Sequence, residues 1–223
     1  MMNIKTALLD LLFPPKCPFC GAITEGDAVC DDCRRRLPWT EGKDVARQLS
    51  RSVICAAPLW YEGQAREGIL RYKFYGNIGA AEAFGQLLAR CAAMEFSGEF
   101  DTVTWVPAGP KRLKERGYDQ TRLLAEAACR LWDTKAVPLL RKPADNPPQS
   151  ELKDAAARRA NVLGVYEALP GAEGKRILLV DDIVTSGATL LECVRTLEEA
   201  GAASVCCIAL AARRDGKDRQ RTE

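Results

Sequence analysis

The 223-residue sequence contains no histidine, which excludes mixed Cys/His metal sites and removes the commonest general base. It also lacks long apolar runs, since no stretch approaches the roughly 18 apolar residues of a membrane span. No charge sign dominates: the net charge is +2, so bulk charge does not argue for nucleic acid. Neither a GxxxxGK loop nor a GxGxxG loop occurs, which excludes the ordinary nucleotide-binding loops.

The N-terminal stretch MMNIKTALLDLLFPP does not have the pattern of a secretory signal. Asp10 interrupts its short apolar run, and no small-residue cleavage site follows. Leucines at 8, 9, 11 and 12 instead fit a short amphipathic helix that ends before Pro14. We therefore expect a cytoplasmic protein without a membrane span, in a reducing compartment where clustered cysteines favour metal over disulfides.

Two Cys-x2-Cys pairs, separated by nine residues, lie in a Pro- and Gly-rich segment at 14–40: Cys17, Cys20, Cys30 and Cys33. Four thiolates form the tetrahedral shell that structural Zn²⁺ prefers, so this spacing predicts a zinc ribbon or knuckle. Free thiols, disulfides or an iron–sulfur cluster remain alternatives. So small a segment has too little core to fold without its metal, and removing the metal is expected to unfold residues 14–40 only. The other six cysteines occur in apolar periods and are predicted to be small buried hydrophobes.

Short apolar runs alternate with helical segments from residue 53 onward. Strands are predicted at 53–61, 102–107, 136–140, 176–181 and 204–212, and helices at 64–73, 78–94, 121–132 and 188–200. Such alternation is typical of βαβ units, and therefore of an α/β fold whose mainly parallel sheet is flanked by helices. The predicted domains are an N-terminal helix and zinc module at 1–40, the α/β domain at 53–212 and a charged tail at 213–223. Between them, 41–52 is predicted to be a linker with room for one helical turn, and 141–153 a polar loop.

The run from Ile177 to Thr189 is the most informative part of the sequence. A buried-type strand ends at Asp181 and Asp182, and a small-residue turn then enters a helix. Backbone N–H groups and hydroxyls at such a turn form a phosphate cradle, here Thr185, Ser186, Gly187, Ala188 and Thr189. The two carboxylates beside it suit ribose hydroxyls and Mg²⁺. An ordinary helix cap is the alternative, although it would explain only one of these residues.

This run resembles the signature of type I phosphoribosyltransferases, which bind 5-phosphoribosyl-1-pyrophosphate. Further motifs follow the order found in the ComF family: the paired cysteine knuckles, Tyr61-Glu-Gly, Lys73-Phe74, Val106-Pro107, Arg116-Gly-Tyr-Asp-Gln120 and Arg158-x-x-Asn161. The resemblance covers nearly the whole chain and implies a type I phosphoribosyltransferase-like fold behind a zinc finger. It also implies a role in competence, with single-stranded DNA and other competence proteins as partners. One departure is Tyr118-Asp119, where the family more often has an aromatic residue followed by Asn.

The segment Val106–Pro110 resembles the pyrophosphate loop of that fold. Ala108 and Gly109 are then expected to bring backbone amides to the anion, with Arg116 and its neighbouring cations neutralising it. A solvated basic loop is the alternative. The loop at 141–153 resembles the mobile loop that covers the substrate, and the pairs Arg141-Lys142 and Arg158-Arg159 flank it. An ordinary surface loop is its alternative.

Two functions fit these residues. The first, which we favour, is a DNA-handling ComF-like protein that binds phosphoribosyl pyrophosphate with Mg²⁺ and also single-stranded DNA. The second is an active phosphoribosyltransferase in which Asp181 and Asp182 are catalytic, acting on an unidentified nitrogen nucleophile. A purine-regulator type of repressor would need a helix-turn-helix, which the zinc module does not resemble. Candidate DNA contacts are Arg34–Arg36, Lys111–Arg116 and the tail from Arg213, and such binding would be salt-dependent and largely sequence-blind.

Overall fold

The computed structural model describes residues 14–24, 27–145 and 164–214. The strands are β1 Ala46–Gln48, β2 Ile54–Ala56, β3 Leu59–Trp60, β4 Thr102–Trp105, β5 Leu140–Arg141, β6 Glu167–Ala168, β7 Arg176–Val184 and β8 Ser204–Ala212. The helices are α1 Asp31–Arg36, α2 Gly63–Phe74, α3 Ala80–Glu95, α4 Pro110–Arg116, α5 Gln120–Leu131 and α6 Ala188–Glu199, with a 3-10 turn at Gly42–Asp44. The predicted helix at 8–12, the Arg158–Asn161 motif with Arg159, and the tail beyond Arg214 lie outside the described residues.

The main sheet has the order β1-β2-β8-β7-β4, and β3 also pairs with β8. All pairs are parallel except β1 with β2. The central strand β7 is fully buried from Ile177 to Val180, because helices cover both faces of the sheet. The predicted α/β fold with a mainly parallel sheet is confirmed.

Several element boundaries differ from the predictions. The strand predicted at 53–61 is broken into β2 and β3 at Pro58, which has no N–H to donate. The predicted strand at 136–140 is wrong: Ala136 makes only an isolated bridge to Val103, and β5 pairs with β6 in a separate two-stranded sheet. The linker at 41–52 contains the expected single helical turn, as a 3-10 turn, and also the unpredicted edge strand β1, whose Ala-Arg-Gln sequence has no apolar alternation.

Two further differences affect the candidate site. The strand β7 runs on to Val184, so Asp181 and Asp182 lie inside the strand rather than at its end. Helix α4 replaces a predicted loop, with Pro110 at its first turn and Gly117 in the left-handed conformation at its end. Proline at a helix start and glycine at a helix end are both recognised helix signals.

The zinc module packs directly against the α/β domain. Phe19 lies with its ring centroid 5.4 Å from that of Phe84 on α3. A Cβ added to Gly68 on α2 would come within 2.7 Å of Phe19 Cδ1, so only glycine permits this approach. Cys17 and Cys33 belong to the same apolar cluster as these helices. Module and domain therefore share one hydrophobic core.

Candidate functional sites

The four predicted zinc ligands come together in the folded chain. The Sγ atoms of Cys17, Cys20, Cys30 and Cys33 all lie within 4.8 Å of one another, and those of Cys20 and Cys30 are 3.5 Å apart. A tetrahedron with Zn–S bonds of about 2.3 Å has edges of about 3.8 Å, so the cluster matches a zinc shell after small shifts. Helix α1 begins at this site, where Cys33 N–H points at Cys30 Sγ at 3.5 Å.

The backbone favours the thiolate form of Cys17, whereas burial raises the pKa of Cys33 and, together with the Cys30 side chain, that of Cys20. Burial acts to raise the pKa of Cys17, but backbone N–H groups of Cys30, Phe19 and Cys20 outweigh it and lower the pKa to about 7. A thiol that ionises near neutral pH releases its proton readily when a metal ion binds to the sulfur. None of the ten cysteines in the chain is in a disulfide. Of the six outside the cluster, only Cys206 is partly exposed, and the others are buried as predicted.

A polar cavity of about 260 Å³ opens at the carboxyl edge of β4 and β7. This edge is where ligands bind in open α/β sheets. Its walls are Tyr61, Lys73, Val106, Pro107, Ala108, Arg112, Arg116, Gln120, Thr121, Lys142, Tyr166, Asp181, Asp182, Ile183, Thr185 and Thr189. The structure thus brings six predicted site residues to one cavity: Asp181, Asp182, Thr185, Thr189, Ala108 and Arg116.

The other predicted phosphate residues line a small adjoining hollow of about 20 Å³. Ser186, Gly187 and Ala188 form it together with Thr185 and Thr189, which also face the larger cavity. Within the described ranges no side chain caps the start of α6, so the N–H groups of its first turn face this hollow. Amides at the start of a 12-residue helix are an anion cradle.

Gly187 is the position where the cradle depends on glycine. Its φ of +74° is left-handed, and a Cβ there would lie 2.9 Å from Leu49 Cδ2. We expect Gly187→Ala to destabilise the fold by about 1–2 kcal/mol and to weaken phosphate-ester binding roughly tenfold, because the turn must shift. Thermal unfolding and titration with ribose 5-phosphate would measure both effects.

Gly174→Ala is the matched control for this variant. Gly174 is also left-handed, with φ +67°, but an added Cβ would meet nothing within 4 Å, and the residue precedes β7 at the opposite edge of the sheet. The Gly174→Ala control should lose stability but bind ribose 5-phosphate with the affinity of the parent protein. Equal affinities for the two variants would contradict the assigned role of Gly187.

The two aspartates have different environments. Asp182 Oδ2 lies 2.7 Å from Lys73 Nζ, and both side chains are mostly buried. Asp181 is buried and accepts a hydrogen bond from Asp182 N–H at 2.7 Å. Burial, followed by the neighbouring Asp182 charge, raises the pKa of Asp181 to about 8. The pair therefore offers one firmly held carboxylate and one group that can both donate and accept, which suits vicinal hydroxyls.

Asp119, the departure from the family pattern, does not line the cavity. Its Oδ1 accepts the N–H groups of Thr121 and Arg122 at the start of α5, and its Oδ2 accepts Ala108 N–H at 3.0 Å. The carboxylate thus serves as a helix cap that also ties down the predicted pyrophosphate loop. In this structure the Ala108 amide, predicted to bind the anion, is engaged by Asp119.

Gly109 also differs from its prediction, because it lines neither the cavity nor the hollow. A Cβ on Gly109 would overlap Asp145 Oδ1 at 2.0 Å. Asp145 Oδ2 accepts Lys111 N–H at 2.6 Å at the start of α4. A carboxylate of the chain itself therefore covers the place where a ligand anion was expected to meet Gly109.

Four cations complete the cavity, all of them in segments that the sequence had marked. Lys73, Arg112, Arg116 and Lys142 face two aspartates, so the lining carries a net charge of +2, or +3 while Asp181 is protonated, and favours an anionic ligand. Arg116 is held in place by Gln120 Oε1 at 2.7 Å, and its guanidinium lies 4.8 Å from the Phe74 ring centroid.

The wall formed by Lys142 and Tyr166 depends on tertiary packing. Lys142 Nζ lies 5.4 Å from the Tyr166 ring centroid. Arg141, its neighbour, is instead paired with Glu167 across β5 and β6. The sequence marked both basic residues as flanking the loop, but no local pattern distinguishes the one that faces the cavity. Tyr166 carries no local signal at all.

The predicted DNA contact at Arg34–Arg36 is largely neutralised. Arg34 pairs with Asp27 at 3.2 Å, and Arg36 pairs with Asp32 at 2.8 Å. Arg35 lies 3.8 Å from the same Asp32. This run therefore has little free charge to offer a polyanion.

Across residues 14–24, 27–145 and 164–214, none of the helices combines the length and apolar character needed to cross a membrane.

The chain is similar to two known protein families. The phosphoribosyl transferase domain family matches residues 122–223, and the double zinc ribbon domain family matches residues 8–59. Among solved structures, glutamine phosphoribosylpyrophosphate amidotransferase from B. subtilis is 25% identical, with a TM-score of 0.43 over 63% of this chain and 30% of that one.

Curated relatives match most of the chain. Competence protein ComFC of Bacillus subtilis is 31% identical over 87% of this chain and 76% of its own length. Competence protein ComFC of Streptococcus pneumoniae is 31% identical over 85% and 77%, and DNA utilization protein YhgH of Escherichia coli K12 is 30% identical over 85% and 80%. The chain belongs to the ComF family, with a type I phosphoribosyltransferase-like domain behind an N-terminal zinc ribbon.

Proposed function

We propose that this chain is a cytoplasmic DNA-handling protein of natural transformation that binds phosphoribosyl pyrophosphate with Mg²⁺ and also binds single-stranded DNA. The observation that carries the proposal is one cavity in which an aspartate pair, a phosphate cradle and four cations meet. Each of these features matches one part of the ligand.

The match can be stated group by group. The hollow at the start of α6 suits the 5-phosphate, because its amides and hydroxyls need no further cation. Asp181 and Asp182 suit the ribose hydroxyls. The pyrophosphate would then meet the cationic part of the lining, where Arg112, Arg116 and Lys142 have donors for its oxygens.

Mg²⁺ fits the same aspartates. It takes oxygen ligands, usually one or two carboxylates together with substrate oxygens and waters, and Asp181 and Asp182 supply those carboxylates. When bound, the ion would reduce the repulsion between the aspartates and the ligand's phosphates. Lys73 already neutralises Asp182 without the ion, so the site can be partly formed before the ligand arrives.

The names of the relatives support the DNA part of the proposal, since they are a competence protein and a DNA utilization protein. The cysteines support the proposed cytoplasmic location, because a zinc site of four cysteines and six further free thiols suit a reducing compartment.

Isothermal titration of the zinc-loaded chain with phosphoribosyl pyrophosphate tests this proposal. We expect binding with Mg²⁺ and weaker binding with EDTA, and we expect a single-stranded oligonucleotide to change the affinity. No binding in either buffer would overturn the ribose-phosphate assignment. Unaltered affinity in the presence of DNA, with release of pyrophosphate when a nucleobase is added, would favour the ordinary transferase instead.

A further inference from the structure

A second cavity, of about 480 Å³, adjoins the ribose-phosphate cavity. We call it the arginine groove, and it is lined by Tyr61, Glu62, Gly63, Arg66, Thr185, Arg213 and Arg214. Tyr61 and Thr185 line both cavities, so the groove opens beside the phosphate cradle. The proposed function does not use this groove.

The backbone fixes the groove at the carboxyl edge of the sheet. Tyr61 N–H donates to Ala212 O at 2.8 Å, and Arg213 N–H donates to Val184 O at 2.9 Å. Arg213 is therefore hydrogen-bonded to the residue that immediately precedes the cradle residue Thr185. The start of the charged C-terminal segment is thus held against the site.

The groove carries an excess of positive charge, which favours an anionic ligand. Glu62 is neutralised by Arg214 at 3.1 Å, and the Arg214 guanidinium also stacks 4.3 Å from the Trp60 ring centroid. Arg66 and Arg213 are exposed, and neither forms an ion pair with another residue in the described ranges. Two arginines therefore remain to neutralise a ligand.

We propose that the arginine groove binds the phosphodiester backbone of a single-stranded nucleic acid that passes beside the phosphate cradle. This inference rests on the proposed function in taking the strand to be DNA. A groove of this size exceeds the need of one phosphate, and a strand presents successive phosphates to Arg66 and Arg213. Tyr61, at the junction of the two cavities, offers a ring for a base to stack on.

The geometry also explains how the two ligands would communicate. A strand in the groove and a phosphate ester in the cradle would both contact the surroundings of Thr185. A ligand bound at one of these two sites would therefore change the electrostatic potential at the other. The salt dependence of binding distinguishes a backbone contact from a small-ligand contact. For single strands the slope of log K against log salt changes by about 0.7 for each neutralised phosphate.

The test uses the full zinc-loaded chain carrying Arg66→Gln and Arg213→Gln together. Fluorescence anisotropy with a labelled oligo-dT at several salt concentrations should show binding weakened at least about tenfold and a salt slope reduced by about 1.4. The affinity for phosphoribosyl pyrophosphate alone should be unchanged, because neither arginine lines that cavity.

The matched control is Lys135→Gln with Lys175→Gln, which removes the same charge. Both lysines are exposed and lie at the opposite edge of the sheet, just before Ala136 and the start of β7. The control should bind the oligonucleotide within about twofold of the parent protein. Equal losses in the two double variants, or no loss in either, would overturn the inference.

Two further outcomes separate this inference from the proposed function. If the parent chain binds phosphoribosyl pyrophosphate but no oligonucleotide, the groove assignment fails and the ribose-phosphate assignment stands. If oligonucleotide binding depends on Arg66 and Arg213 while phosphoribosyl pyrophosphate does not bind, the groove assignment stands and the ribose-phosphate assignment fails. Binding of poly-glutamate with the same dependence and the same affinity would assign the groove to an acidic protein partner and overturn the inference.

Discussion

Replacing Asp181 and Asp182 together by asparagine is expected to weaken phosphoribosyl pyrophosphate binding at least about 100-fold while the fold remains intact. A hydrogen bond to the charged Asp182 contributes about 1.5–3 kcal/mol and one to the protonated Asp181 about 0.5–1.5 kcal/mol, so losing both corresponds to roughly two orders of magnitude. The loss of Mg²⁺ ligands acts in the same direction. Calorimetric titration measures the affinity, and circular dichroism checks the fold.

The single variant Asp181→Asn separates binding from stability, because it leaves the Lys73–Asp182 ion pair in place. Burial raises the pKa of Asp181 from 3.8 to about 8, so the unfolded chain releases this proton before the folded chain does. Stability contributed by Asp181 therefore falls as pH rises between these values. We expect Asp181→Asn to be at least as stable as the parent at pH 8 and still to bind at least about tenfold more weakly.

Asp101→Asn is the control for these variants. Asp101 is exposed and pairs with Arg176 at 3.2 Å near the start of β7, at the edge of the sheet opposite the cavity. Its replacement should leave the affinity unchanged. Parent-like binding by the Asp181/Asp182 double variant would remove the aspartate pair from the site.

The sequence predicted those parts of the fold and site that depend on local pattern. β7 contains the continuous apolar run Ile177–Val180 and ends at a small-residue turn, so both the buried strand and the cradle could be located from consecutive residues. β1 could not, because an edge strand needs no apolar alternation. Helix α4 was missed although Pro110 and Gly117 mark its ends, since the basic residues between them were interpreted as a loop.

The parts that escaped prediction are long-range contacts. Asp145 covers Gly109, and Lys142 meets Tyr166, only because segments distant in sequence pack together. The same holds for the arginine groove, where the segment after β3 meets the residues that follow β8. The sequence showed a basic tail. It did not show that the first two arginines of this tail, Arg213 and Arg214, lie beside the cradle.

Removing the metal is expected to destabilise the whole protein. The sequence alone had suggested that only residues 14–40 would unfold. Cys17, Phe19 and Cys33 share one apolar cluster with α2 and α3. Structural zinc binds with apparent free energies of about 10–16 kcal/mol, comparable with the entire stability of a domain, about 5–15 kcal/mol. Loss of zinc should therefore expose the faces of α2 and α3 that Phe19 now covers.

Cys20→Ser tests this with one ligand changed, because Cys20 is exposed and its replacement leaves the packing intact. We expect reduced zinc content, a thermal midpoint lowered by about ten degrees or more and faster hydrogen exchange in both α2 and α3. Cys206→Ser, at a partly exposed cysteine outside the cluster, should keep its zinc and its protection. Faster exchange confined to 14–40 would show that the shared core survives without the metal, and absence of zinc from the purified protein would remove the basis of the prediction.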